Sequence, residues 1–131
     1  MRDNQEMMSR LGELMAIESV AQLGGPATAP YGAGPAAALD YMLKLCDSLG
    51  FRTKNCDNQL GWAEIGEGDE MVGILCHLDV VPAGEGWDYE PYAMTIVGDR
   101  AYGRGVTDDK GPAMCCVYAM KDILDSGVSL K

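Results

Sequence analysis

His77 and Asp79, two residues apart in the stretch Gly73-Ile-Leu-Cys-His-Leu-Asp-Val-Val-Pro82, are the side chains of this sequence best placed to act together. An imidazole can hold a metal or carry a proton near neutral pH. A carboxylate beside it can accept its second ring N–H and so fix tautomer and orientation. In an extended backbone, residues i and i+2 face the same side, so a strand ending here presents both groups as neighbours. His77 is the only histidine, and a lone histidine is more often a hydrogen-bonded structural residue than a ligand; Asp79 shifts that balance toward metal binding. A second acidic pair, Asp108-Asp109, follows the turn Gly103-Arg104-Gly105. Just ahead of a helix, such aspartates commonly serve as caps. That suits Asp109, whereas Asp108, one residue further out, is freer to face a metal.

The elements that must carry these residues follow from periodicity. Residues 71–76 form a short apolar run bounded by Gly-rich segments, which predicts a buried strand with His77 and Asp79 at its carboxyl end, where open α/β sheets bind ligands. Met8, Leu11, Leu14, Met15 and Val20 recur at helical intervals and predict a first helix over 5–21 with its methionines in the core. Residues 22–34 read as a loop. A second helix is expected from Pro35 to Gly50 through Leu39, Met42, Leu43, Cys46 and Leu49. Strands at 51–56 and 59–65 are expected around an Asp57-Asn58 turn, and a hairpin at 93–97 and 100–102 around Gly98-Asp99. A third helix should start near Asp109 and Pro112, bury Met114, Val117, Met120 and Ile123, and stop at Gly127. The class is therefore α/β, with three helices and an ordered loop over 80–92.

Composition excludes several functions. At 131 residues the chain can form one compact domain. Its net charge of −10 argues against nucleic acid or an anionic membrane as partner. The five cysteines, at 46, 56, 76, 115 and 116, are odd in number and lack Cys-x-x-Cys spacing, so they read as small buried residues in a reducing compartment rather than as a disulfide framework or thiolate zinc site. There is no apolar signal core and no run of about 18 apolar residues. A soluble, cytoplasmic protein is expected.

The words around the two acidic sites carry a resemblance. His77-x-Asp79-Val-Val-Pro-Ala-Gly-Glu-Gly-Trp87, followed by Tyr102-Gly-Arg-Gly-x-x-Asp108-Asp109-Lys-Gly-Pro112, resembles the zinc-dependent exopeptidases related to aminoacylase and glutamate carboxypeptidase. The Ala-Gly-Glu-Gly-Trp insert is most similar to the bacterial, carnosinase-like dipeptidase branch. The resemblance implies a three-layer α/β/α catalytic domain, of which residues 1–131 would be the amino-terminal portion with a mixed sheet. It implies that His77 is a zinc ligand, that Asp79 orients it, and that Asp108 bridges two zinc ions, with a cis peptide between Asp108 and Asp109. The implied activity is hydrolysis of a dipeptide or acyl amino acid by a dinuclear zinc site.

The family's general-base Glu, its remaining acidic ligands, a late histidine and the substrate-gripping arginine have no counterpart in these residues. The chain is thus expected to be a segment of a catalytic domain, inactive alone. The alternative is a non-enzymatic metal-binding or self-associating module, a homo-oligomer formed through an open sheet edge. Arg104 is expected either to touch substrate or to pair with a carboxylate, and Trp87 and Tyr89 either to line a cleft or to anchor their loop. Glu85 is expected at the surface, and Lys110 at the surface or at the start of a helix.

Overall fold

Residues 4–129 are described by a computed structural model. Three helices, α1 (Asn4–Met15), α2 (Ala33–Ser48) and α3 (Lys110–Ser126), accompany two antiparallel ribbons. In the first, β1 (Arg52–Cys56) pairs with β2 (Leu60–Glu64) in the register Arg52 to Glu64 through Cys56 to Leu60. In the second, β3 (Thr95–Val97) pairs with β4 (Arg100–Tyr102). Leu11, Leu14 and Met15 of α1, Ala38, Met42, Leu45 and Cys46 of α2, and Ala113, Met114, Val117 and Tyr118 of α3 close on one core, joined by Phe51.

The turns follow from local chemistry. Asp57 and Asn58 both take positive φ, 55° and 54°, a conformation that these short polar residues tolerate better than most. Asn55 stabilises that turn by accepting from the Asn58 N–H at 2.8 Å. Gly127 ends α3 in the left-handed conformation, φ 69°, as the sequence predicts. Two other glycines matter for packing. A Cβ on Gly34 would lie 2.0 Å from the Glu18 carbonyl oxygen, and one on Gly111 would lie 1.9 Å from that of Val106. Only glycine lets α2 rest its first turn on residues 18–19, and α3 its first turn on the preceding loop.

Several expectations change. The first helix stops at Met15, not at 21. The apolar pattern continues to Val20, but Val20 forms an isolated parallel bridge with Val80. The run at 71–76 is not a buried strand: Met71, Val72, Ile74 and Leu75 are 82%, 93%, 58% and 98% exposed, and no strand is assigned there. An apolar run specifies a strand only where a hydrogen-bonded neighbour exists, and both ribbons among the described residues pair internally. For the same reason the mixed sheet is absent among the described residues, the Val20–Val80 bridge being their parallel pairing. In α3, Met114 and Val117 are buried and Met120 packs partly against the core, but Ile123 is exposed. Met15 and Met114 are fully buried, while Met8 is only half-buried.

Burial pushes the Cys46 thiol up to about 11 from 9.0. The folded state therefore favours the neutral thiol, and the unfolded chain loses its proton first as pH rises. Stability from this group is complete below pH 9 and is lost toward pH 11, at up to about 1.4 kcal/mol per pH unit. Urea midpoints measured from pH 8 to 10.5 should fall less steeply for Cys46→Ala than for the parent chain. Parallel slopes would show that Cys46 is not buried in solution.

Candidate metal centre

Two loops bring the candidate residues together. His77 Nε2 lies 3.0 Å from Asp108 Oδ1, 31 residues away. His77 Nδ1 lies 3.0 Å from the backbone carbonyl of Asp79 and 3.4 Å from its Oδ1. The backbone N–H of His77 donates to Asp109 Oδ2 at 3.1 Å. The Asp108–Asp109 peptide is cis. Asp109 precedes α3 as expected, but its carboxylate makes no helix-cap bond; it ties the two loops together instead. The His77 and Asp79 side chains are half exposed and Asp108 is 85% exposed, so the site opens to solvent.

Hydrogen-bond chemistry restricts the imidazole. A carbonyl oxygen only accepts, so Nδ1 carries a proton toward Asp79, and Nε2 faces the Asp108 carboxylate either with its own proton or with a free lone pair. Partial burial lowers the His77 pKa, but the Asp108 hydrogen bond and the Asp79 carbonyl outweigh it, and the net shift is upward. With its lone pair free, Nε2 and Asp108 Oδ1 suit a shared cation. Two tetrahedral zinc ligands, each about 2.0–2.1 Å from the ion, stand roughly 3.3 Å apart, close to the observed 3.0 Å. The pair fits two positions of a coordination shell. It does not complete one: among the described residues, no three His, Cys, Asp or Glu side chains gather around a common point.

Two buried residues behind the site carry no sequence signature. Lys110, expected at the surface or at a helix start, does open α3 but is 0% exposed. Its Nζ donates to the carbonyls of Leu14 at 3.0 Å and Ile17 at 2.7 Å, and burial lowers its pKa to about 8. Lysine is almost never fully buried unless paired, so residue type pointed the wrong way. The one hint is its glycine neighbours: a Cβ on Gly105 would come within 3.1 Å of the Lys110 stem. Ser19, also 0% exposed, donates from Oγ to the Leu78 carbonyl at 2.6 Å and accepts from the Val80 N–H at 3.0 Å.

The loop over 80–92 is held by Arg104. Its Nη2 donates to the carbonyls of Pro82 at 3.3 Å and Ala83 at 3.1 Å, and its guanidinium sits 5.1 Å from the Trp87 ring centroid. Trp87 Nε1–H donates to the Ala83 carbonyl at 2.8 Å, and Tyr89 packs against Tyr102 with ring centroids 5.0 Å apart. Trp87 and Tyr89 are thus loop anchors, and Arg104 is bonded to carbonyls rather than to a carboxylate. Glu85 is exposed, as expected.

Residues 73–131 match the family described as Peptidase family M20/M25/M40. That match covers just under half of the chain. Over 126 residues the chain is 43% identical to a Staphylococcus saprophyticus protein, and over 131 residues 41% identical to a Bacillus subtilis protein, both named as putative dipeptidases. These alignments cover 95% and 98% of this chain but 27% and 28% of the relatives, so the chain spans under a third of their length. The fold matches the crystal structure of human carnosine dipeptidase 1 with a TM-score of 0.72 at 28% identity, over 97% of this chain and 30% of that one. The three helices and short strands are thus those of an α/β peptidase domain.

Removing the Arg104 bonds should loosen the loop without unfolding the domain. A hydrogen bond from a charged donor contributes about 1.5 kcal/mol or more, roughly a tenfold change in local opening. In Arg104→Ala, amides in 83–90 are expected to exchange at least about tenfold faster, with helix protection unchanged. Equal exchange in that loop would show that it is ordered by other contacts.

Proposed function

We propose that these residues form part of a dinuclear zinc dipeptidase centre, in which His77 and Asp108 are ligands, Asp108 bridges the two ions, and Asp79 orients His77. The observation that carries this reading is the 3.0 Å approach of His77 Nε2 to Asp108 Oδ1. His77 keeps its Nδ1 proton on Asp79, between the backbone carbonyl at 3.0 Å and the carboxylate Oδ1 at 3.4 Å, which leaves the Nε2 lone pair for a cation. Asp108 offers a solvent-exposed carboxylate, accessible to a second ion, and Arg104 holds the neighbouring loop in place through the Pro82 and Ala83 carbonyls. Zinc, when bound, lowers the pKa of coordinated water and polarises the scissile carbonyl. The substrate class is a dipeptide or acyl amino acid. The general base and remaining ligands lie outside these 131 residues on this reading, so the chain alone is inactive. We assign it to the cytoplasm, a choice supported by five unpaired cysteines. No helix among the described residues is long and apolar enough to cross a membrane.

The test places residues 1–131 in exchange for the matching segment of the Bacillus subtilis relative. The chimera is expected to hydrolyse dipeptides, to lose activity with a chelator and to regain it with zinc. His77→Ala should abolish turnover, and Asp79→Asn should weaken metal affinity about 10- to 100-fold. A His77→Ala chimera that retained full, zinc-dependent activity would overturn the assignment.

One observation favours a second reading, a self-associating module: the exposed apolar run from Met71 to Leu75. Light scattering of the 131-residue chain at high concentration should then show dimers or larger species that Leu75→Ser disperses. A monomer at all concentrations removes this reading.

A further inference from the structure

Both halves of the proposed site hang on one short segment that supplies none of its ligands. On the His77 side, Ser19 makes two bonds that straddle Asp79: its Oγ donates to the Leu78 carbonyl at 2.6 Å and its carbonyl accepts from the Val80 N–H at 3.0 Å. On the Asp108 side, Lys110 reaches back with its Nζ to the carbonyls of Leu14 and Ile17, at 3.0 and 2.7 Å. The two anchors, Ile17 and Ser19, are two residues apart. Both Ser19 and Lys110 are fully buried; Lys110 follows Asp108 directly in the same corner, whereas Ser19 is remote in sequence and bonds the residues on either side of Asp79. The segment is clamped from a third side, because Gly34 brings α2 onto the Glu18 carbonyl.

We infer that Ser19 and Lys110 are positioning residues, and that the segment Leu14–Val20 sets the separation of His77 Nε2 from Asp108 Oδ1. The inference rests on the metal-site reading for its consequence and on the hydrogen-bond geometry for its cause. Neither residue touches the imidazole or the Asp108 carboxylate. Each instead fixes the backbone from which one of them projects. Loss of either anchor lets one ligand move relative to the other, and because both anchors hold the same short segment, Leu14 to Val20, their losses overlap rather than multiply.

The experiment uses the 131-residue chain with Ser19→Ala, Lys110→Met, the double variant, and Leu45→Ala as a core control remote from the site. Three quantities are read at one fixed pH: the thermal midpoint, the ring nitrogen signals of His77 by NMR without metal, and the affinity for zinc alone. Ser19→Ala should remain folded, shift the His77 signals toward those of an unrestrained imidazole, and weaken zinc binding about tenfold. Lys110→Met should act in the same direction, and the double variant should lose less than the product of the two. Leu45→Ala should lower the midpoint at least as much while leaving the His77 signals and zinc affinity unchanged. His77 signals unmoved in Ser19→Ala, or moved equally in Leu45→Ala, would overturn the inference. If Lys110→Met fails to fold, the comparison of Ser19→Ala with Leu45→Ala decides. If the parent chain alone holds zinc too weakly to measure, the ring signals still test the positioning role, and the metal-site reading is decided separately by the His77→Ala chimera.

Discussion

A buried ammonium group must be hydrogen-bonded or the fold cannot hold it, and much of this structure follows from how Lys110 meets that demand. Taking a charge out of water costs several kcal/mol unless strong acceptors replace the lost solvent. The acceptors here are carbonyls at and just beyond the end of α1, Leu14 and Ile17. Helix termini leave such carbonyls with spare acceptor capacity, that of Leu14 accepting the Ile17 N–H as well, and carry the negative end of the helix dipole. The lysine and the helix end therefore satisfy each other. Because Lys110 opens α3, the same contact joins the amino-terminal helix to the carboxy-terminal one. It also holds the intervening Asp108–Asp109 corner against the core.

The core and the corner are coupled through glycines. Gly111 lets the first turn of α3 approach the Val106 carbonyl, and Gly105 leaves room for the lysine stem. Either Cβ would push the lysine or the helix start away from α1. Asp109 then closes the arrangement from outside by accepting the His77 backbone N–H. An aspartate in a helix-capping position has been taken from the helix and given to the opposite loop, and the candidate ligands meet for that reason.

Much of this was legible in the residues and some was not. The helices, the Asp57-Asn58 turn and the Gly98-Asp99 hairpin were readable because period and turn chemistry are local signals. The proximity of His77 to Asp108, and the cis peptide after it, came from the resemblance of two motifs, since no local rule joins residues 31 apart. Lys110 and Ser19 were missed because their roles exist only in tertiary contacts; a lysine after two aspartates reads as a surface or helix-start residue, and Ser19 fell inside the helix expected over 5–21. The first helix was overextended because the apolar pattern through Val20 does not distinguish a helix face from a bridge to Val80. Residues 71–76 were misread for the complementary reason: apolar composition signals a demand for burial, and does not supply the neighbouring strand.

That exposed run bears on the site. Residues 71–76 lead without interruption into His77, whose ring is fixed by Asp79 and Asp108 and whose backbone is fixed by Asp109 and, one and three residues on, by the bonds of Ser19 to Leu78 and Val80. Just before it, the Cys76 thiol interacts with Asp109 and with Cys116 of α3. The loop is thus tied to the same corner on both sides of the imidazole. Metal coordination is sensitive to the angle of a ligand as well as to its distance, because the lone pair of an imidazole lies in the ring plane. The brace behind the site therefore bears on the 3.0 Å separation, and the contacts at Cys76 and His77 bear on the angle, while Met71, Val72, Ile74 and Leu75 stay exposed.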